Sequence, residues 1–251
     1  MGAIHLMGAA AGVVAVVKPA GLPTQAAAGV DSAERQVRRL LADPQWLGKP
    51  VSESAVYLGV PHRLDRAVSG IMLFAATPRA ARKLSRQFER REVTKTYRAV
   101  VTLQAAAPLP EGLGLDSTEW QDWIEKVPNE PRARRAESAH APGAREAITR
   151  VRMLGTSAVN ATHLVLEFEP LTGRMHQLRL QAACRGLPIL GDELYGGPAG
   201  IDGTPADDPR ARPIALHAWR IAYTDPDSGE RITREAPLPE WWPAVEPSQP
   251  G

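Results

Sequence analysis

The chain has 251 residues, 43% of them hydrophobic, which fits one large domain or two small ones around a real core and excludes disordered and fibrous classes. Its single cysteine, Cys184, rules out an internal disulfide and points to a reducing, cytoplasmic setting. The formal net charge of +2 is too small for a global field, so a polyanionic partner has to be met by local patches.

The opening run MGAIHLMGAAAGVVAVVKPA lacks the basic start of a signal peptide and is too short to span a bilayer, so no membrane association is expected. Within it, VVAVV reads as a buried strand, Val13 to Val17, ending at Lys18-Pro19 and turning through Gly21. Ser32 can N-cap a helix whose apolar stripe is Val37, Leu40 and Leu41. AVYLGVPHRLD and GIMLFAAT predict two strands separated by the Ser69-Gly70 turn. Thr77 as N-cap and Pro78 at the first helical position start another helix, with Ala81, Leu84 and Phe88 on its buried face. From Arg79 to Arg98 there are eight basic residues against Glu89 and Glu92, a net of +6, whereas the stretch from Asp225 onward is acidic. That basic stretch is either a face for phosphate or a solvated helix.

TKTYRAVVTL alternates, with Tyr97, Ala99, Val101 and Leu103 on one side, which is strand periodicity. From Gln104 to about Arg145 the chain is rich in Pro, Ala, Glu and Arg, with no sustained period apart from EWQDWIEKV, and reads as a surface excursion. Strands return at EAITRVRML and THLVLEFEPL; GRMHQLRLQAACRG predicts a helix ended by Gly186 with Pro188 beyond. IALHAWRIAYT is a last strand, with a hairpin turn at PDSG. Strands outnumber helices and fall into hairpin-like pairs, so the expected class is α+β, a mainly antiparallel or mixed sheet flanked by helices.

Common cofactor signatures are missing: there is no G-x-x-x-x-G-K-[ST], no G-x-G-x-x-G after a strand, no H-E-x-x-H and no cysteine pair, and the six histidines lack ligand spacing. Nothing requires a metal, and no G-x-S-x-G elbow marks a nucleophilic serine. In HRLDR the strand period puts Arg63 and Asp65 on one side and Leu64 toward the core. A carboxylate among guanidinium groups stays ionised, which suits a nucleophile or base and equally a structural ion pair; the pentapeptide alone does not choose. On a helix, His176 and Arg179 share a face that can reach a carboxylate or phosphate, or simply lie in solvent.

Taken in chain order, VVKPAGLPT, HRLDRAVSGIMLFA, KTYRAVV, LTGRMHQLRLQAACRGLPILGDELYGG and LHAWRIAY resemble the RluA-type family of pseudouridine synthases, from about Val13 to Pro239. WQDWIEKVPNEPRARRA, inside the excursion, is similar to a stretch of some members. The resemblance implies a single catalytic domain, core about 13–239 with the excursion at about 104–145, no separate S4 domain, and a monomer. It implies isomerisation of a uridine within ribosomal or transfer RNA to its C5-glycoside, with neither metal nor organic cofactor. Asp65 is implied as the catalytic carboxylate, Tyr97 as the aromatic that packs against the target base and assists proton transfer, and Arg179 as the arginine that pairs with the aspartate. RNA contacts are expected from Arg63, His62, Arg174, His176, Arg82 and Arg86, and Arg66 is expected to brace the turn. The family usually has threonine where Val68 and Met175 stand, and asparagine where Val17 stands. Two other classes compete: a non-catalytic RNA-binding or RNA-folding module on the same fold, and a glycoside hydrolase, which needs a second acid that no other carboxylate here marks.

Overall fold

The computed structural model describes residues 2–47, 51–104, 108–157, 160, 162–201, 212–242 and 244–247. In chain order the elements are β1 (His5–Ala10), β2 (Val13–Lys18), α1 (Ala33–Ala42), the single turn α2 (Pro44–Leu47), β3 (Ser69–Ala75), α3 (Pro78–Glu89), β4 (Thr94–Thr102), β5 (Thr118–Lys126), β6 (Ala133–Arg135), β7 (Arg145–Ser157), β8 (His163–Pro170), α4 (Gln177–Ala183), β9 (Leu216–Thr224), β10 (Arg231–Glu235) and β11 (Val245–Pro247). Contacts divide the chain into two compact units, Met1–Lys95 with Ala218–Pro237, and Thr96–His217 with Leu238–Gly251. Every strand pairing whose register is described is antiparallel, the α+β arrangement that the hairpin-like strand pairs predict. Among the described residues no helix is long and apolar enough to cross a membrane.

In the first unit β2 lies between β1 and β3, in register from Val13↔Ala75 to Lys18↔Gly70, and β10 folds back on β9 through the predicted PDSG turn. All of β3 is buried, as expected of a continuous apolar run, and Val13, Ala15, Ile71, Leu73, Leu84 and Ile221 form the core beside it. Ser32 caps α1 by accepting from the Arg35 N–H, and Thr77 caps α3 by accepting from Ala80 with Pro78 in the first turn. Gly70 has φ +122°, and a Cβ there would stand 2.3 Å from the Ala218 carbonyl oxygen, so only glycine fits where the Asp65 segment enters β3.

The expected strand over AVYLGVPHRLD is absent; only Gly59 pairs, bridging Ala75. Pro61, without an N–H, stands where the ladder would continue, and the segment beyond it is extended but bonded mostly through side chains. β1, part-exposed and bulged between Leu6 and Gly8, carries too little apolar alternation to be read from sequence.

In the second unit β4, β8, β7, β5 and β6 lie side by side in that order, with β11 on β7. β5 falls inside the stretch that reads as a surface excursion: Trp120, Asp122 and Ile124 are buried on alternate positions against β7. An inward aspartate interrupts the apolar alternation, which hides the strand. α4 is shorter than the predicted helix because His176 takes φ +53°, a left-handed conformation that no helix continues through.

Candidate functional site

Asp65 lies in the first unit, half-buried, on a loop stitched to the KPAGLPT turn by side-chain and backbone bonds. Thr24 Oγ1 donates to the Leu64 carbonyl at 2.9 Å and accepts from the Leu64 N–H at 3.2 Å, a side-chain substitute for a β-bridge. Arg66 Nε donates to the Gly21 carbonyl at 3.0 Å, and the Gly21 N–H returns a 2.8 Å bond to the Arg66 carbonyl. Arg66 thus joins the two loops. The Val68 N–H donates to the Asp65 carbonyl at 3.1 Å, closing the turn in front of β3. Val68 is 2% exposed, so the apolar residue in the family's threonine position is core packing.

Lys18, at the end of β2, is fully buried and supports this arrangement from beneath. Its ammonium donates to the carbonyls of Pro19 (2.9 Å), Leu22 (2.7 Å) and Arg66 (3.3 Å), using all three donors of a charge that would be costly to bury unpaired. Burial pulls its pKa down to about 7, while the negative charge of Asp65 pushes it up and the positive charge of Arg66 lowers it further. The Asp65 carboxylate therefore feels a fixed buried amine of its own unit.

His62 is committed internally. Its Nε2 accepts from the Leu73 N–H at 2.9 Å, where Pro61 ends the backbone ladder, and its ring stacks on Phe88 of α3 at 4.6 Å between centroids. Burial, helped by the charge of Lys95, lowers its pKa from 6.5 to about 3. Those contacts fix the orientation of the His62 ring within the first unit. Arg63 by contrast is exposed, as are Arg82 and Arg86 on α3. Their helix neighbours Arg79 and Lys83 are drawn to the hairpin turn after β9, Arg79 to Asp227 at 3.2 Å and Lys83 to the Pro226 carbonyl.

Tyr97, Arg174, His176 and Arg179 belong to the second unit. Tyr97 sits on β4 opposite Phe168 of β8, partly exposed. α4 is anchored by two buried glutamines one turn apart. Gln177 donates to the Ile148 carbonyl (3.0 Å) and Thr149 Oγ1 (2.8 Å), and Gln181 accepts from Thr149 Oγ1 (2.6 Å) and donates to Asp122 (2.9 Å). Arg179, between them in sequence, projects from a different side of the helix. It is 5% exposed and forms a two-pronged ion pair with Asp192: Nε to Oδ2 and Nη2 to Oδ1, both 2.7 Å.

Arg174 is half-buried, its Nε donating to the Glu146 carbonyl at 2.9 Å. His176 and Arg179 do not share a helical face, since His176 precedes the helix, yet both reach Tyr195: His176 Nδ1 lies 2.8 Å from the Tyr195 hydroxyl, and the guanidinium carbon is 5.1 Å from the ring centroid. Lys18, Thr24, Asp192 and Tyr195 escape a reading of the sequence residue by residue. The trace they leave is in KPAGLPT and GDELYGG, polar residues set among turn-forming glycines and prolines. Among the described residues no group of three or more His, Cys, Asp or Glu is arranged to hold a metal ion. The first unit presents a half-buried carboxylate on a braced loop, and the second a buried, oriented guanidinium.

The model of the family described as RNA pseudouridylate synthase matches residues 12–184. The ribosomal large subunit pseudouridine synthase D of Xanthomonas campestris is 34% identical over 91% of this chain and 64% of its own length, so the chain spans under two thirds of that relative. The dual-specificity RNA pseudouridine synthase RluA of Salmonella typhi is 34% identical over 90% of this chain and 89% of its own. Among solved structures, human RNA pseudouridylate synthase domain containing 4 superposes with a TM-score of 0.71 at 22% identity, covering 95% of this chain and 90% of that one. At that identity the likeness shows the fold.

Proposed function

The chain belongs to the RNA pseudouridylate synthase family, and on that premise we propose that it isomerises uridine within ribosomal or transfer RNA to pseudouridine, with Asp65 as the working carboxylate. The observation that carries this reading is the family match over residues 12–184, which contains HRLD, KTY and GRMHQLR in order. The braced loop around Asp65 supports it, because a reacting carboxylate needs fixed orientation and a nearby positive charge.

The reaction breaks the N1–C1′ bond, turns the uracil while it stays trapped, forms C5–C1′, and releases the C5 proton to solvent. An ionised Asp65 can add to the sugar or remove the C2′ proton; both routes keep the atoms balanced and both use the same charge. Tyr97 is assigned to packing against the base and aiding proton transfer, and Arg179 to pairing with the working carboxylate. Reaching a stacked base requires flipping it out, at a cost of roughly a few kcal/mol that phosphate contacts must offset. Arg63, Arg82, Arg86, Arg174 and His176 are assigned to those contacts.

Carbodiimide mapping of RNA from a strain lacking the protein should show one or more missing pseudouridines, restored by wild type and not by Asp65→Ala. An unchanged map at full coverage would overturn the reading. Rescue of the strain's phenotype by Asp65→Ala would favour a non-catalytic RNA-binding module, and free uracil released from RNA would favour a hydrolase.

A further inference from the structure

We propose that Tyr195 is a positioning residue for this reaction, its ring and hydroxyl together fixing the Arg179 guanidinium and the His176 imidazole. The inference rests on the pseudouridine synthase reading above and adds a residue that does not touch the reacting atoms.

Tyr195 closes a 3-10 turn, Glu193–Tyr195, whose first flanking residue is Asp192. The Asp192 carbonyl accepts from the N–H groups of Tyr195 (3.1 Å) and Gly197 (2.9 Å), so carboxylate and ring are rigidly related. A Cβ on Gly197 would stand 2.3 Å from the Ile189 carbonyl oxygen, so the loop closes this tightly only with glycine there. Arg179 is thereby held on two sides, its edge by the Asp192 fork and its face by the Tyr195 ring at 5.1 Å. A planar guanidinium so held keeps one orientation, and its five N–H groups exceed what Asp192 can accept.

The hydroxyl does separate work. It lies 2.8 Å from His176 Nδ1, with the imidazole edge-on to the ring at 90°, and it accepts from the Ala133 N–H of β6 at 2.9 Å. His176 holds φ +53°, a conformation that a non-glycine residue keeps only where its surroundings impose it. The ring also packs against the cluster of Ile124, Ala133, Ala147 and Leu180. Phenylalanine would preserve that packing, so the hydroxyl's contribution can be separated from the ring's.

Release of tritium from [5-³H]uridine-labelled total RNA of a strain lacking the protein reads turnover directly, because C5 loses its hydrogen. Tyr195→Phe, which keeps the ring on Arg179 and loses only the hydroxyl beside His176, should raise KM for the RNA about threefold and leave kcat within about twofold; Tyr195→Leu, which also uncovers the Arg179 guanidinium, should in addition lower kcat about 100-fold. On an Arg179→Lys background, Tyr195→Leu should cost less than about threefold more, because the orientation it protects is already gone. Thermal melting accompanies each variant; if Tyr195→Leu does not fold, Tyr195→Phe decides. An unchanged KM in Tyr195→Phe, a kcat within twofold of wild type in Tyr195→Leu, or losses that multiply with Arg179→Lys would overturn the inference. No tritium release by the wild type would instead overturn the reading on which it rests, and this inference with it.

Discussion

Acidification should destabilise the first unit through His62 before its carboxylates matter. In the native protein the imidazole is held neutral, its pKa lowered from 6.5 to about 3 by burial and the charge of Lys95, and its Nε2 is occupied by the Leu73 N–H. The sign follows from proton counting. Between about pH 3 and 6.5 the unfolded chain binds a proton on this ring and the native chain does not, so unfolding takes up a proton and stability falls as pH falls. At full slope that is about 1.4 kcal/mol per pH unit, or about 2 kcal/mol lost by pH 5. The residue keeps some solvent exposure, which makes that figure an upper bound. Urea unfolding at pH 7, 6 and 5, at constant ionic strength, should show the loss in the wild type and a flatter dependence in His62→Gln, which keeps an acceptor for Leu73 but cannot take the proton. NMR titration supplies the direct check. A native imidazole titrating near 6.5, or an unchanged slope in His62→Gln, would refute the reasoning.

Lys18→Met matches the volume but strips three carbonyls, that of Leu22 in a buried bond, of their donor, and should cost about 3 kcal/mol in thermal or urea unfolding; a loss under about 1 kcal/mol would mean the amine is not the brace described. Asp192→Asn leaves the buried Arg179 without its fork partner and should destabilise by about 3 kcal/mol, measured the same way. Replacing Arg82 and Arg86 by alanine should weaken RNA binding about equally across sequences and flatten the slope of log affinity on log salt by about 1.5, as loss of two phosphate contacts requires. An unchanged slope would place the RNA elsewhere.

The elements legible in the sequence are those whose hydrogen bonds run along the backbone. VVAVV, IMLFAA and THLVLEFEPL announce strands because burial alternates or persists, and Ser32 and Thr77 announce helix starts because their side chains cap them. HRLD misleads because an extended loop alternates as a strand does, while its bonds go to Thr24 and other side chains tens of residues away. TEWQDWIEK misleads in the opposite direction: it is the periodic run within the stretch that reads as an excursion, but Asp122, an inward residue neutralised by Arg185 at 2.7 Å, interrupts its apolar alternation.

The same limit applies to charge. Arg179, Arg79 and Arg82 are one residue type in the sequence, and each sits in a stretch that reads as a basic helix. The structure sorts them by what surrounds them: Arg179 is buried on Asp192 and Tyr195, Arg79 is tied to Asp227, and Arg82 faces solvent. Lys18 is the extreme case. A lysine at a strand end followed by proline reads as a solvent-facing stop, since lysine is seldom fully buried. Here Pro19, Leu22 and Arg66 turn three carbonyls toward one point, and a cation is what can satisfy all of them at once. The turn geometry creates the need, and that geometry depends on Gly21 and Arg66 meeting across forty-five residues of chain. The family resemblance therefore points to Asp65, while the buried amine that shapes its surroundings emerges only from the folded turn.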